Sequence, residues 1–460
     1  MLIRARPYLD AERLVQLLAS GAWDDASPIG AFEREFCNRI QSVRAFAIHQ
    51  GRSALMLGLK ALGLSRGDEI VVQSLICSTV LDAILATGVT PVLVGNSLED
   101  YQVNTGAVRN SITKRTKAIL VAHLYGIPCE IGEFVQIAKK TGCYLIEDCA
   151  HCLGAQYDGR PIGSFGHIAF HSFNFDKPLS IGQGGMLAIN DDRVLEKAKS
   201  VLSRHARVST TTERQIILRL LVRYLLTARD AYAQLSDVMT STRVGSPRLL
   251  AVVDDMVKEG ARVHDITRVA TEQLLSYRKQ PSWYERAARS DTMRAIKRAA
   301  TRWIPAATRG DGSIDQPNLL MNSLRCAVGL QQSEGLDRAV SQRNARAEYL
   351  STKLDTEKYQ VPRIGDKRTP SYLRYTILAK TIGARRSVEH RAFREGYEIS
   401  NFNWPRPAHD FALYRRAARL HTGSLADTDQ IVSRMLNIPI HTHVTSEDLD
   451  AMLEILDGED

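Results

Sequence analysis

Between about residue 53 and residue 190, short apolar runs alternate with longer segments of helical period. The runs are EIVVQS (69–74), TPVLVG (90–95), KAILVAHLYG (117–126) and CYLIEDCA (143–150). Each is apolar at successive positions, as in strands covered on both faces. The alternation therefore predicts an α/β fold, with a mainly parallel sheet flanked by helices. Ligands of such sheets bind at the carboxyl ends of the strands, so the residues after each run are candidates for a functional site.

The length and composition predict a globular protein with more than one domain. The 460 residues are 44% hydrophobic and 24% charged, which is enough to bury a large core. Residues 205–316 are rich in Arg and Ala, and we predict that they form a helical insertion between a large domain (1–204) and a smaller α+β domain (317–460). Seven cysteines without disulfide-like spacing predict a reducing, cytoplasmic location. A net charge of +9 is modest for this length and does not indicate a nucleic-acid partner.

One segment of the predicted insertion, 214–232, is very apolar but carries Arg219 and Arg223. The stretch between its flanking charges is too short to span a membrane. Two interpretations remain: a helix buried against its own domain or a dimer partner, which we favour, and a helix that lies on a membrane surface.

The first candidate site is the start of the helical segment that follows IHQ (48–50). Gly51, Arg52 and Ser53 open this segment, and the exposed N–H groups and dipole of a helix N-terminus can bind a phosphate group. The alternative is an ordinary loop in which Ser53 lies near the N-cap.

A second candidate is the end of the run LIEDCAHC (145–152). Asp148 ends a predicted buried strand, where a carboxylate needs a cationic or hydrogen-bonding partner. A protonated pyridine nitrogen would be such a partner. Cys149 and Cys152, with His151 between them, also allow a metal site, although one CxxC pair lacks the second pair that zinc sites usually have. We favour no metal.

The third candidate is Lys177, in SFNFDK (172–177). It follows a predicted strand that returns to the sheet end of Asp148. In a partly apolar pocket a lysine loses its proton more easily, and its neutral amine can form a Schiff base with an aldehyde. Ser172 offers a hydroxyl to a phosphate, and GQGG (182–185) lets backbone approach a ligand closely. A phosphate cradle, a ring carboxylate and a Schiff-base lysine are the three requirements of pyridoxal phosphate.

These motifs resemble the DegT/StrS family of sugar aminotransferases, which have the fold-type I architecture with a sheet of the seven-stranded type. The similarity extends along most of the chain, through GRSALMLGLKALGL (51–64), IEDCAHCLGAQYDGRPIGSFG (146–166), SFNFDK, GQGG and MNSLRCAVGLQQ (321–332). The resemblance implies that Lys177 carries pyridoxal 5'-phosphate and acts as the general base, and that Asp148 contacts the ring nitrogen. The remaining cofactor contacts that it implies are Gly51, Arg52, Ser53, Cys77, His151, Ser172 and Asn318.

The family also implies partners and substrates. Asn318 would reach the cofactor of the other chain in a homodimer with a shared active site. The implied reaction transfers an amino group from glutamate or glutamine to a keto-sugar, carried on a nucleotide, in the synthesis of an amino sugar for a polysaccharide or an antibiotic. WPRPAHDFALY (404–414) resembles the family's substrate-side segment, so His409 and Tyr414 are candidate pocket residues, and His409 as a plain loop residue is the alternative.

Two other functions remain open. The acceptor could be a keto-cyclitol or a carbonyl on a lipid carrier, which the basic and apolar segment 214–232 suggests. The chain could also be a non-catalytic paralogue, because Cys77, Gln183 and Leu320 stand where the family has an aromatic, an acidic and an arginine residue.

Overall fold

The structure is a computed structural model that describes residues 6–21, 25–228, 231, 246–278, 319–401, 406–421 and 425–458. The chain forms two compact units. The larger unit contains Leu2–Leu9, Trp23–Glu213 and Asn318–Asp460, and the smaller one contains Asp10–Ala22 and Arg214–Pro317. The larger unit thus includes most of the predicted large domain and all but the first residue of the predicted C-terminal domain.

The larger unit is built on an eight-stranded sheet. Its strands, in chain order, are β1 (Arg44–Ile48), β2 (Glu69–Gln73), β3 (Thr90–Val94), β4 (Thr116–Ala122), β5 (Tyr144–Asp148), β8 (Ile168–Ser172), β9 (Gly185–Ile189) and β13 (Arg419–Leu420). The spatial order is β1-β9-β8-β5-β4-β2-β3-β13, and β9 is the strand antiparallel to both of its neighbours. This arrangement confirms the predicted mainly parallel sheet. Beyond the seven strands expected, β13 pairs with the edge strand β3.

Helices cover the sheet and bury its apolar strands. Those of the first 202 residues in this unit are α2 (Ser27–Ile40), α3 (Gly51–Ala61), α4 (Ser78–Ala86), α5 (Thr105–Ser111), α6 (Ile131–Thr141) and α7 (Asp192–Leu202). The side chains of Leu55, Leu57 and Leu59 on α3 are fully buried in one core with Val72 of β2 and Leu120 of β4. Such continuous burial explains why the strands are apolar at successive positions.

The C-terminal part of the larger unit has its own core. A second sheet joins β10 (Tyr359–Gln360), β12 (Tyr375–Ala379) and β14 (Met435–Ile438). The third sheet joins β6 (Gln156–Tyr157), β7 (Arg160–Pro161) and β11 (Arg368–Thr369). The helices of this part are α11 (Ser323–Ser333), α12 (Leu336–Lys353), α13 (Ile382–Arg394), α14 (Ala412–Ala417), α15 (Ala426–Arg434) and α16 (Ser446–Asp457). Thr445 and Asp448 form a capping box at the start of α16.

The smaller unit is helical in its described part. It contains α1 (Ala11–Ser20), α9 (Pro247–Lys258), α10 (Val263–Arg278) and residues 214–226 of α8 (Thr210–Leu226). Arg214 Nε donates a hydrogen bond to Asp254 Oδ1 at 2.6 Å, which ties α8 to α9.

The helix α8 carries the apolar segment for which two interpretations were open. Eight of its apolar side chains are buried, and Arg219 and Arg223 are exposed. The buried residues are Ile216, Ile217, Leu218, Leu220, Leu221, Val222, Leu225 and Leu226. This burial agrees with packing inside the chain. Within the described ranges, none of the helices has the length and apolarity that a membrane crossing requires.

Candidate active site

The carboxyl ends of neighbouring parallel strands meet at one edge of the main sheet. β4 ends at Ala122, β5 at Asp148 and β8 at Ser172, and β5 pairs with both of the others. In this register Asp148 lies opposite Phe170, so Ser172 lies two residues further toward the same edge. The sheet topology therefore brings residues 148 and 172 to the edge where ligands of α/β sheets bind.

The N-terminus of α3 lies beside this edge, and we call its first amide groups, together with Ser53, the candidate anion cradle. Gln50, before the helix, is extended and does not cap it with its side chain. A Cβ atom built on Gly51 would lie 3.0 Å from Ser172 Cβ and 3.2 Å from His171 O, so glycine permits a close approach of helix and strand. Ser53 is fully buried, and its hydroxyl has no hydrogen-bond partner among the described residues. A bound phosphate would satisfy this hydroxyl and the first amide groups of the helix.

The glycine-rich turn approaches the same cradle from the other side. A Cβ atom built on Gly185 would lie 2.6 Å from Gly51 N and 2.7 Å from Gln50 C, which are backbone atoms that cannot rotate away. We expect Gly185→Ala to destabilise the protein by about 1–3 kcal/mol, the usual cost of overpacking. Urea unfolding of the full chain measures this effect as a lower midpoint. Gly383→Ala is the control, because a Cβ atom there would have Thr381 Oγ1 as its nearest neighbour, at 3.6 Å; equal midpoints for the two variants would contradict the prediction.

The Asp148 carboxylate lies buried at the end of β5. Its Oδ1 accepts a hydrogen bond from Ala150 N at 3.0 Å. Burial raises the pKa of Asp148 to about 6, although the Ala150 N–H and the charges of Lys177 and His123 oppose the rise. The protein alone therefore does not fully compensate the charge of this carboxylate, and a cation bound at this edge would do so.

The amine of Lys177 lies against His151. Lys177 Nζ is 2.9 Å from His151 Nε2, and His151 Nδ1 accepts a hydrogen bond from Tyr125 N at 3.3 Å. Burial and the charge of Lys177 lower the pKa of His151 well below its ordinary value, so the ring is neutral. Nδ1 thus accepts a backbone hydrogen bond, and Nε2 faces the amine. The predicted cofactor residue His151 is thus in direct contact with the predicted catalytic lysine.

The loop that carries Lys177 is closed at its base. Residues 173–184 connect the antiparallel strands β8 and β9, in which Ser172 pairs with Gly185. Phe173 N donates to Gly184 O at 2.9 Å, just above that pair. The strands therefore fix both ends of the loop.

Two charged residues beside Lys177 were not predicted from the sequence. Asp176 Oδ2 is 3.6 Å from Lys177 Nζ and also 3.6 Å from Arg374 Nη2. Arg374 precedes β12 and is almost fully buried. The amine therefore has a carboxylate neighbour in addition to Asp148.

A buried arginine connects the glycine-rich turn to the segment before α3. Arg325 donates from Nε to Glu213 Oε1 at 2.7 Å, and from Nη1 to His49 O at 3.0 Å and to Gln183 O at 2.6 Å. Gln183 Nε2 is in turn 3.2 Å from His49 Nε2. Burial and the neighbouring Arg325 lower the pKa of His49 to about 3, so this histidine is neutral. Gln183, which replaces the family's acidic residue, therefore contacts a neutral histidine within this network.

The predicted substrate residues His409 and Tyr414 both hydrogen-bond to other side chains of the larger unit. His409 is buried, with Nδ1 2.6 Å from Ser74 Oγ and Nε2 3.0 Å from Asp429 Oδ1. Tyr414 donates to Asp82 Oδ1 at 2.8 Å. Both rings are thus held by side chains of the protein, and their role toward a substrate stays a prediction.

The remaining predicted cofactor residues are Arg52, Cys77 and Asn318. Arg52 Nε donates to Gln50 Oε1 at 2.6 Å. Cys77 is the N-cap residue of α4, and its Sγ lies 3.1 Å from Thr79 Oγ1. Asn318 lies outside the described residues.

One group of possible metal ligands lies near Asp148. The ligand atoms of His123, Glu147 and Cys149 are within 4.8 Å of one another. Glu147 accepts hydrogen bonds from the backbone N–H groups of residues 163, 165 and 166. His123 Nδ1 accepts a hydrogen bond from Cys129 N at 3.0 Å, and His123 Nε2 lies 3.3 Å from Glu147 Oε2. Burial also raises the pKa of Cys149 well above its ordinary value. The absence of a metal at this site stays a prediction.

Comparison of the sequence with curated proteins finds relatives of named function. GDP-perosamine synthase of Escherichia coli O157:H7 is 38% identical over 169 residues, which are 37% of this chain and 46% of the relative. L-glutamine:scyllo-inosose aminotransferase of Streptomyces griseus is 33% identical over 193 residues, or 40% and 46% of the two chains. The chain thus spans about half the length of these curated relatives.

The fold and a family model agree with these matches. The structure of Spr1654 from Streptococcus pneumoniae in its PLP form superposes with a TM-score of 0.69 at 16% identity, covering 98% of this chain and 96% of that one. This likeness shows a shared fold. The model of the DegT/DnrJ/EryC1/StrS aminotransferase family matches residues 8–227 and 298–457. Because these two ranges cover most of the sequence, the chain belongs to the DegT/DnrJ/EryC1/StrS aminotransferase family.

Proposed function

We propose that the protein is a pyridoxal-phosphate-dependent aminotransferase that transfers an amino group from an amino acid to a keto-sugar. The observation that carries the proposal is the arrangement at the sheet edge. There, Lys177 Nζ lies 2.9 Å from His151, three residues after the buried Asp148, and the candidate anion cradle of α3 lies beside Ser172. These are the contacts that this cofactor requires, and the family contains such enzymes.

The described residues fit the cofactor at both of its charged ends. The amide groups that begin α3, with the unsatisfied hydroxyl of Ser53, would hold the phosphate. Asp148, whose charge is only partly compensated, would hold a protonated ring nitrogen. The Cys77 and Asn318 contacts are further parts of the proposal. When bound, pyridoxal phosphate withdraws electrons from the carbon that bears the amino group.

Lys177, His151 and Asp148 would each have a separate role in the reaction. Lys177 would bind the cofactor covalently and then move a proton between two carbon positions as the general base. His151, neutral and in contact with Nζ, orients this amine. Asp148 keeps its negative charge opposite the ring nitrogen, so that the nitrogen stays protonated.

For the acceptor we propose a keto-sugar linked to a nucleotide, and for the donor glutamate or glutamine. The similarity to GDP-perosamine synthase supports the nucleotide-linked keto-sugar as the acceptor. A keto-cyclitol is the second candidate, because the S. griseus relative is named for scyllo-inosose, and that name also gives L-glutamine as the donor.

We further propose a cytoplasmic homodimer in which Asn318 of one chain completes the site of the other. The reducing location is supported by the cysteines, all seven of which are described and none of which forms a disulfide.

The test uses the donor alone. An aminotransferase loaded with its cofactor converts one equivalent of donor amino acid to the keto acid before any acceptor is present. We expect stoichiometric keto acid by mass spectrometry with glutamate or glutamine, and then transfer to a panel of nucleotide keto-sugars and keto-cyclitols. If no amino acid gives keto acid with the loaded protein, the chain is a non-catalytic member of the family.

A further inference from the structure

The carboxylate of Asp176 lies between two cations at the proposed catalytic amine. One oxygen, Oδ2, is 3.6 Å from Lys177 Nζ and 3.6 Å from Arg374 Nη2. The side chain of Arg374 is 2% exposed and that of Lys177 is 13% exposed, whereas that of Asp176 is 32% exposed. Because water screens the two cations poorly, charges at these distances have large effects on one another.

The charge of Asp176 is fixed by these neighbours. Burial works to raise the pKa of Asp176, but the Lys177 ammonium and the Arg374 guanidinium hold it well below its ordinary value. Asp176 is therefore an anion throughout the pH range in which an aminotransferase works.

The groups that face Lys177 do not all favour the same charge on its amine. His151 Nε2 lies 2.9 Å from Nζ, and the neutral ring adds no charge there. Asp176 at 3.6 Å favours the ammonium, and the more distant Asp148 carboxylate acts in the same direction. Arg374 opposes the ammonium by repulsion, but it also holds Asp176 in place.

We infer that Asp176 is a positioning residue that stabilises the proton on Lys177 Nζ, and that Arg374, the second cation beside this carboxylate, limits that effect by repelling the ammonium. This inference rests on the proposed function, in which Lys177 accepts a proton and later returns it. A base that holds its proton too weakly would return it before the reaction is complete, and Asp176 prevents that loss.

The experiment titrates the amine in the full chain, after hydroxylamine has removed any aldehyde bound to lysine and dialysis has removed the small molecules. Lysine amines are acetylated competitively with acetic anhydride at a series of pH values, and mass spectrometry gives the midpoint pH for the peptide of Lys177. In Asp176→Asn the ammonium loses its anionic neighbour, so the midpoint falls by about one pH unit or more. In Arg374→Met a repelling cation is lost and the midpoint rises. Arg374→Lys keeps the charge and the midpoint stays near that of the unchanged protein.

The opposite shifts of the midpoint pH expected for Asp176→Asn and Arg374→Met distinguish this inference from a purely structural role. Damage to packing would move the midpoints of Asp176→Asn and Arg374→Met in the same direction, and that result, or no movement in Asp176→Asn, would overturn the inference. Asp366→Asn is the matched control, because this aspartate is exposed and lies far from Asp176 in the sequence. Circular dichroism checks that each variant folds.

A second readout separates this inference from the proposed function. In the protein loaded with pyridoxal phosphate, the pH midpoint of the visible absorption band should shift in the same directions. Failure of the unchanged protein to bind the cofactor would refute the proposed function and leave the labelling result intact. Cofactor binding with an unmoved labelling midpoint would refute only the role of Asp176.

Discussion

We expect Lys177→Ala to remove the covalent link that we propose to the cofactor and to lower kcat by at least about a thousandfold, since both general acid–base and nucleophilic catalysis would be lost. The unchanged protein, reduced with borohydride, should yield one pyridoxyl-labelled peptide that contains residue 177, and the variant should yield none. The reason is geometric, because Nζ is the amine in contact with His151 at the sheet edge.

Lys199→Ala is the matched control for this loss. Lys199 lies on α7, is half exposed and pairs with Glu196 at 2.7 Å. Its replacement should leave both the rate and the labelled peptide unchanged. A pyridoxyl group found on any lysine other than Lys177 would show that the site has been assigned to the wrong residue.

Asp148→Asn should separate activity from stability. We expect turnover to fall by about a hundredfold to a thousandfold, because an amide cannot keep the ring nitrogen protonated. The cofactor-free variant should nevertheless be more stable than the unchanged protein at neutral pH. Burial raises the pKa of Asp148 from 3.8 to about 6, so ionising this carboxylate in the folded state costs up to about 3 kcal/mol.

The pH dependence follows from the sign of that shift. The folded protein binds the Asp148 proton more tightly than the unfolded chain, so the penalty is absent below about pH 4, grows as the pH rises and is complete above about pH 6. Urea midpoints of the two proteins should therefore agree at pH 4 and diverge toward pH 8, with the variant higher. Equal midpoints at pH 8 would mean that another cation already compensates Asp148. Bound cofactor should reduce the difference, because its ring nitrogen supplies the missing charge.

The sequence predicted the parts of this site that follow from local pattern. The run CYLIEDCA became β5, and its position at the end of a strand placed Asp148 at the sheet edge. Gly51 opened a helix, as the small residues indicated, and Lys177 followed a strand that returns to the same edge. These predictions depend on periodicity and on the geometry of parallel sheets, which are readable within short windows of sequence.

The contacts that were missed join distant parts of the chain. Arg374 reaches Asp176 from the C-terminal part of the larger unit, and the two-residue strand β13 pairs with β3 across an even longer stretch of sequence. No periodicity links such positions, because tertiary packing alone brings them together. Asp176 itself could have been noticed, since an acidic residue directly before a candidate reactive lysine is a local feature.

The closed loop of residues 173–184 has a consequence for how this family can diversify. Its ends are held by the Ser172–Gly185 pair and by the bond from Phe173 N to Gly184 O, so the strands set the span whatever the loop contains. Within the loop, the buried side chains of Phe175, Leu179 and Ile181 act as anchors, whereas Asn174 is exposed and Lys177 is half-buried. The chemistry of the loop can therefore change at these two positions while its anchors stay in place.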